Sequence, residues 1–253
     1  MGMDREHEGR IAVVTGGGRG FGKAFGHALA ARGAHVVLAD IEPAVGEEAA
    51  AEIRAAGGSA SAFPVDVADE LQAEALVADT VAKHGGIDIF INNAGLHSAA
   101  FNHPTSTLGV AKLRRLMDVN VMGTIICTMA AAPAMKGRKG AAIMNISSMA
   151  AYGCGTAYGV SKLAVQGITM MSARELGPDG IRVNAIAPGL IFTETIRAEL
   201  PPAVVEMVKG TQLINREGEE PDIVEMMLFL CSDRSSFITG ETYRVSGGAT
   251  LQI

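Results

Sequence analysis

Tyr158-Gly-Val-Ser-Lys162 opens a stretch with helical patterning. A separation of four puts the phenol and the ammonium on one helical face, about one turn apart. A phenol with pKa about 10 is a poor base at neutral pH. A nearby ammonium favours the phenolate, so the pair can act as general acid or base in a water-poor site. A buried tyrosine beside a surface lysine would show the same spacing and do no chemistry, so the context decides. Ser147-Ser148 closes an apolar run shortly before, Asn92-Asn93-Ala94-Gly95 closes another, and Asn120 stands inside a helical pattern, where asparagine is mildly unfavourable.

A second constellation lies near the start. Thr15-Gly-Gly-Gly-Arg-Gly-Phe-Gly22 follows the β-branched run Ile11–Thr15 and precedes a helical pattern, with glycines spaced G-x-x-x-G-x-G at Gly16, Gly20 and Gly22. Glycine permits positive φ and lets backbone N–H groups approach a pyrophosphate at a helix N-terminus, where the dipole favours negative charge. Gly22 would let the helix lie close on the strand. Asp40 ends the next apolar run, where a carboxylate can accept hydrogen bonds from an adenosine ribose. Together these point to a dinucleotide site; a glycine-rich turn with no ligand is the bland reading of the loop alone.

The elements that must position these groups alternate along the whole chain. Apolar runs at 11–15, 34–39, 60–65, 87–91, 140–147, 181–186 and 241–245 read as strands. Helical patterns at 23–32, 43–56, 70–84, 110–135, 157–176, 193–209 and 221–231 separate them, several ending in glycine. Strands that are apolar throughout, each followed by a helix, indicate a parallel sheet covered on both faces. No linker, charge run or repeat divides the chain. The expectation is one doubly wound α/β domain over residues 1–253, with about seven parallel strands.

Composition narrows the partners. Lys and Arg number 21 against 27 Asp and Glu, which argues against nucleic acid, since phosphate backbones want a basic footprint. Hydrophobic residues at 48% and charged residues at 19% exclude intrinsic disorder. Cys127, Cys154 and Cys231 are odd in number and far apart, so neither a disulfide framework nor a metal site is expected. The charged N-terminus lacks an apolar signal core, and the longest apolar stretch, 121–135, is shorter than the ~20 residues a membrane span needs. A cytoplasmic protein with no membrane association is the expectation.

The ordered set of motifs resembles the short-chain dehydrogenase/reductase family from end to end. It comprises TGGGRGFG (15–22), Asp66-Val67, NNAG (92–95), Asn120, ISS (146–148), YGVSK (158–162), NAIAPG (184–189) and ITGETYRVSGG (238–248). The resemblance implies a Rossmann domain with an Asn120-Ser148-Tyr158-Lys162 tetrad. Tyr158 would exchange a proton with the substrate oxygen, which Ser148 would hold. Lys162 would lower the Tyr158 pKa and bind the nicotinamide ribose, and Asn120 would anchor a water in the proton relay. Gly16, Gly20 and Gly22 would let the backbone approach the phosphates, and Arg19, Phe21, Ile41 and Val67 would also contact the cofactor, Arg19 being the one positive group near the 2′ position, where it could instead serve the pyrophosphate or solvent. Asp40 would meet the adenosine ribose and Asp66 the adenine edge. Asn93, Ala94 and Gly95 would line that ribose, and Pro188, Gly189, Ile191 and Thr193 the nicotinamide amide. Against the family pattern, 148–158 is about three residues short, which leaves Ser147 and Ser148 both open as the substrate contact. The stretch 95–120 is a few residues long, and Ser246 stands where aspartate is frequent.

The resulting expectation is an NAD-dependent oxidoreductase interconverting a secondary alcohol and a ketone on a hydrophobic small molecule, assembled as a homotetramer. Asp40 would repel the 2′-phosphate of NADP, and Ile41 brings no compensating cation. An NADPH-dependent 3-ketoacyl-type reductase and a catalytically silent nucleotide-binding protein are the alternatives. The segment 190–218 would cover the substrate. His97 and His103 read as loop-surface residues. Cys154 and Tyr152 read as pocket walls, and the methionine-rich stretches as core or interface packing.

Overall fold

In the computed structural model, which describes residues 5–97, 100–101, 103–193 and 202–250, seven parallel strands form one sheet in the order β3-β2-β1-β4-β5-β6-β7. The strands are β1 Ile11–Thr15, β2 His35–Asp40, β3 Ser59–Pro64, β4 Ile89–Asn92, β5 Ala142–Ile146, β6 Arg182–Pro188 and β7 Thr242–Val245. All seven expected strands are present, with ends shifted by a few residues. The helices between them are α1 Gly20–Ala31, α2 Pro43–Ala55, α3 Glu70–His84, α4 Thr105–Leu108, α5 Val110–Met117, α6 Gly123–Met135, α7 Ala150–Gly153 and α8 Ala157–Leu176, followed by Pro202–Lys209 and Glu220–Cys231. Part of the helix expected over 193–209 lies outside the described residues.

The strands are apolar throughout because both faces are covered. Every residue of β4 and β5 is buried. One core cluster joins Phe25, Leu29, Ile53, Met227 and Leu228 to one sheet face, and a second joins Leu76, Phe90, Met135 and Ile143 to the other. The chain moves outward from β1 to β3, returns to β4 beside β1, and moves outward the other way. This reversal opens a crevice at the carboxyl ends of β1 and β4, where sheets of this kind bind ligands.

Local signals set the helix ends. Asp69 caps α3, accepting from the Gln72 N–H at 3.2 Å, and Gly85 ends that helix at φ 82°. Thr156 caps α8 by accepting from the Gly159 N–H at 3.3 Å, which fixes the turn that presents Tyr158. The helical run 110–135 is interrupted by a π-helical turn at Asp118–Met122. By length and composition alone, Val110–Met135 could cross a membrane. Its Cys127, Thr128, Ala131 and Met135 are nevertheless buried inside the fold.

Candidate active site

The glycine loop is held from both sides. The Thr15 hydroxyl donates to the Ile91 carbonyl at 3.2 Å and accepts from the Asn93 and Ala94 N–H groups at 3.1 Å each. The Asn93 amide donates to the Thr15 and Gly16 carbonyls at 3.0 Å each. The loops after β1 and β4 are thereby tied together at the switch point. Gly16 lies at φ 61° and Gly20 at φ 47°, conformations that L side chains adopt rarely. A Cβ on Gly22 would stand 2.0 Å from the Gly16 carbonyl oxygen, so only glycine lets α1 approach this closely. The first turn of α1 carries no acidic residue. A close backbone turn feeding a helix N-terminus without carboxylates fits a pyrophosphate.

At the end of β2, Asp40 accepts from the Gly18 N–H at 2.9 Å and from the Glu42 N–H at 3.0 Å. Both oxygens are thus fixed beside the glycine loop while each keeps acceptor capacity. Ile41 is 57% exposed and projects no charge. Arg19 forms an ion pair with Glu42 at 2.8 Å. Asp66 accepts from the Ala68 N–H at 3.0 Å and from the Arg115 guanidinium at 2.9 Å. Val67 is buried and packs against the face of Gly123, where a Cβ would stand 2.8 Å from its Cγ2. Glu42 and Arg115 are partners that sequence reading missed; neither lies in a motif, and only the fold brings them to Arg19 and Asp66.

The four residues of the expected tetrad converge at the carboxyl ends of β4 and β5. The Ser148 hydroxyl hydrogen-bonds the Tyr158 phenol and accepts from the Ala150 N–H at 3.2 Å. Ser147 turns the other way. It is buried, donates to the Lys162 carbonyl at 2.9 Å and accepts from Gln166 at 3.2 Å. Of the two serines left open by the sequence, Ser148 faces the tyrosine and Ser147 braces α8. Burial raises the Tyr158 pKa above the ordinary phenol value, and the Ser148 hydrogen bond partly offsets this.

Lys162 is buried, donates to the Ile146 carbonyl at 2.8 Å and lies 5.9 Å from the Tyr158 ring centroid. Burial lowers its pKa to about 8. A Cβ on Gly95 would stand 3.3 Å from Lys162 Nζ and 3.4 Å from Asn120 Oδ1, so the glycine leaves room over both groups. Asn120 sits in the π-helical turn. Its side chain accepts from the Leu96 N–H at 2.7 Å and donates to the Leu96 carbonyl at 3.0 Å and to Ser161 at 3.1 Å. Ser161 in turn donates to the Tyr158 carbonyl at 2.7 Å. The Asn120 side chain therefore ties the loop after β4 to α8.

Pro188 and Gly189 leave the end of β6. Gly189 donates to the Val245 carbonyl at 2.9 Å, and a Cβ there would stand 2.7 Å from the Ser246 Cα. Ile191 is buried and forms a bridge with Gly218, and the Thr193 N–H donates to the Ile191 carbonyl at 2.9 Å. Cys154 lies in the short loop between α7 and α8 at φ 47°, its thiol 2.9 Å from the Ala151 carbonyl. Tyr152 on α7 stacks with Arg244, whose Cζ is 5.2 Å from the ring centroid. His97 and His103 are exposed. A doubly wound sheet with a glycine cradle at its switch point and a Ser-Tyr-Lys cluster at the same edge defines a nucleotide-dependent oxidoreductase.

Comparison with known proteins agrees. A family model described as enoyl-(acyl carrier protein) reductase matches residues 16–250. An uncharacterized oxidoreductase of Mycobacterium tuberculosis is 41% identical over 245 residues, covering 97% of this chain and 99% of the relative. The 7alpha-hydroxysteroid dehydrogenase of Escherichia coli is 34% identical over 250 residues, covering 97% and 96%. A Serratia marcescens short-chain dehydrogenase/reductase variant superposes with a TM-score of 0.89 at 31% identity, covering 97% of this chain and all of that one. An oxidoreductase from Haemophilus influenza with bound NAD superposes equally well, at 26% identity over 96% and 95%. The chain belongs to the short-chain dehydrogenase/reductase family.

Proposed function

We propose that this chain is an NAD-dependent dehydrogenase that interconverts a secondary alcohol and a ketone on a bulky, hydrophobic small molecule. The observation that carries the reading is the Ser148–Tyr158 hydroxyl pair beside buried Lys162, at the sheet edge that also bears the glycine cradle. Ser148 and Tyr158 would hold the substrate oxygen between them, and Tyr158 would take the hydroxyl proton in oxidation and return it in reduction. Lys162, fixed by the Ile146 carbonyl, would stabilise the phenolate and bind the nicotinamide ribose. Asn120 would keep the loop after β4 and the start of α8 in register and would anchor a water that extends the proton relay. NAD, when bound, supplies the hydride acceptor.

Gly16, Gly20 and Gly22 would cradle the phosphates with Phe21 in the same loop, Arg19 would lie near the adenosine ribose, and Asp40, followed by the uncharged Ile41, would accept from that ribose, with Asn93, Ala94 and Gly95 along its other side. Asp66 and Val67 would bound the adenine, and Pro188, Gly189, Ile191 and Thr193 the nicotinamide amide. Asp40 supports NAD over NADP, because a carboxylate accepts from a free 2′-hydroxyl and repels a 2′-phosphate. The hydroxysteroid dehydrogenases among the relatives support an alicyclic secondary alcohol. Leu213 and Ile214, 70% and 57% exposed on the segment 190–218, suit an apolar substrate. We read the chain as one oxidoreductase domain assembled as a homotetramer; residues 194–201 of the segment expected over the substrate lie outside the described residues. Met129 on α6 and Leu163, Met170 and Met171 on α8 expose apolar surface for subunit contact.

The test is a screen of secondary alcohols, including 3α- and 7α-hydroxysteroids, with NAD and NADP, read by cofactor absorbance. Turnover of an alicyclic alcohol with NAD is the expected result. Turnover with NADP alone, or none with any alcohol, would overturn the reading.

A further inference from the structure

Arg19 and Asp40 give opposite signals about the cofactor. A guanidinium beside the adenosine ribose would welcome a 2′-phosphate, and a carboxylate there would repel it. The contacts around Asp40 offer a resolution. The Gly18 N–H, immediately before Arg19, donates to Asp40 at 2.9 Å, and the Glu42 N–H, two residues beyond Asp40, donates to the same carboxylate at 3.0 Å. The Arg19 and Glu42 backbones are therefore both anchored around Asp40, and their side chains meet at 2.8 Å. Glu42 takes up the cation that would otherwise face the ribose pocket. The Arg19–Asp40–Glu42 group then carries one net negative charge.

We infer that Glu42 is a specificity-determining residue for NAD, acting by holding Arg19 away from a 2′-phosphate. The inference rests on the reading of the site as NAD-dependent. It adds a residue outside every motif and assigns it a mechanism: with Glu42 neutral, Arg19 balances Asp40 and becomes available to the phosphate. Both side chains are more than half exposed, at 63% for Arg19 and 54% for Glu42, so water and salt screen the effect. An exposed pair of this kind is worth at most about fivefold in a binding constant.

The experiment measures dissociation constants of NADH and NADPH by fluorescence titration, without substrate. It uses the wild type, Glu42→Gln, Arg19→Gln and the double variant. The wild type is expected to favour NADH. Glu42→Gln should narrow that preference about fivefold through tighter NADPH binding, and 0.5 M salt should shrink the narrowing. In the Arg19→Gln background, the same Glu42 change should narrow it by less than about twofold, which is the coupling a double-mutant cycle isolates. A preference unchanged by Glu42→Gln would overturn the role of Glu42 while leaving the NAD reading standing. Equal narrowing with and without Arg19 would overturn the proposed mechanism. A wild type that favours NADPH, or binds neither, would overturn both the NAD reading and this inference.

Discussion

The amino edge of the sheet and the catalytic cluster at its carboxyl edge treat charge in opposite ways. At the amino edge, Arg10 donates to the Gly140 carbonyl at 2.9 Å and pairs with Asp233 at 2.6 Å. Arg138 forks onto Asp88 at 2.7 and 2.9 Å, and Asp88 also accepts from the Ile11 N–H at 2.8 Å. Arg182 spans the Leu230 and Ser232 carbonyls, and Arg234 pairs with Glu6. At the carboxyl edge, Lys162 is held by a neutral carbonyl and its pKa falls to about 8 through burial. The amino edge closes the sheet with complementary charge. The carboxyl edge pairs Arg19 with Glu42 and Arg115 with Asp66 but keeps the Lys162 ammonium without a carboxylate partner, which destabilises the resting fold and leaves its field available to a reacting group.

The comparison breaks most visibly at Tyr158. Tyr158→Phe keeps the ring and removes the proton donor, so kcat/KM should fall by ~10²–10⁴-fold while NADH affinity and the thermal midpoint stay near wild type. Steady-state kinetics and a dinucleotide titration check this; near-normal turnover would remove Tyr158 from the chemistry.

Arg138→Ala should act in the opposite sense. It strips the fork from Asp88, whose side chain is only 10% exposed. Leaving a buried carboxylate unpaired costs about 3 kcal/mol, so unfolding stability should fall by that order. Turnover of the folded enzyme should stay within twofold. A loss of rate without a loss of stability would contradict the division of labour between the two edges.

His7 sharpens the comparison, because it is a titrating group buried at the amino edge. Both ring nitrogens are buried without a hydrogen-bond partner, and the pKa is lowered to about 4 by burial, which Glu6 opposes and Arg10, Arg32 and Arg234 reinforce. The unfolded chain takes up the proton near pH 6.5 and the folded chain only near pH 4. Stability is therefore fully present above pH 6.5 and is lost as pH falls toward 4. The shift corresponds to about 3 kcal/mol at most. Denaturant titrations at pH 7 and pH 4.5 should show this loss, and His7→Leu should reduce it. His35, lowered to about 4 by burial, titrates in the same window and would account for the remainder. Equal losses in the wild type and His7→Leu would clear His7.

The smallest expected effect separates the adjacent serines. Ser147→Ala removes a hydrogen bond to the Lys162 carbonyl and should cost about 1 kcal/mol of stability with little change in kcat. Ser148→Ala should lower kcat instead. If Ser147→Ala carries the rate loss, the serine roles are exchanged.

Much of this site was legible in the chain because local rules govern it. The Tyr158–Lys162 interval follows helical periodicity. The glycines at 16, 20 and 22 answer to φ and to close approach, and seven apolar runs separated by helices imply a covered parallel sheet. The choice between Ser147 and Ser148 was not legible, because which hydroxyl faces outward depends on how α8 docks on β5. The π-helical turn that aims Asn120 at Leu96 had no sequence signal beyond an asparagine in a helix.

What the sequence by itself determined was the fold class, the order of the motifs and the residue types at the carboxyl edge, since each follows from contacts between residues close in the chain. The tertiary structure alone decided the pairings. Arg10 and Asp233 meet across 223 residues, Arg115 reaches Asp66 across 49, and Glu42 reaches Arg19 across 23. Periodicity carries no information at those separations. A surface charge finds its partner only after the sheet order and helix docking have brought their elements together, and so the charge balance at both edges is a property of the fold.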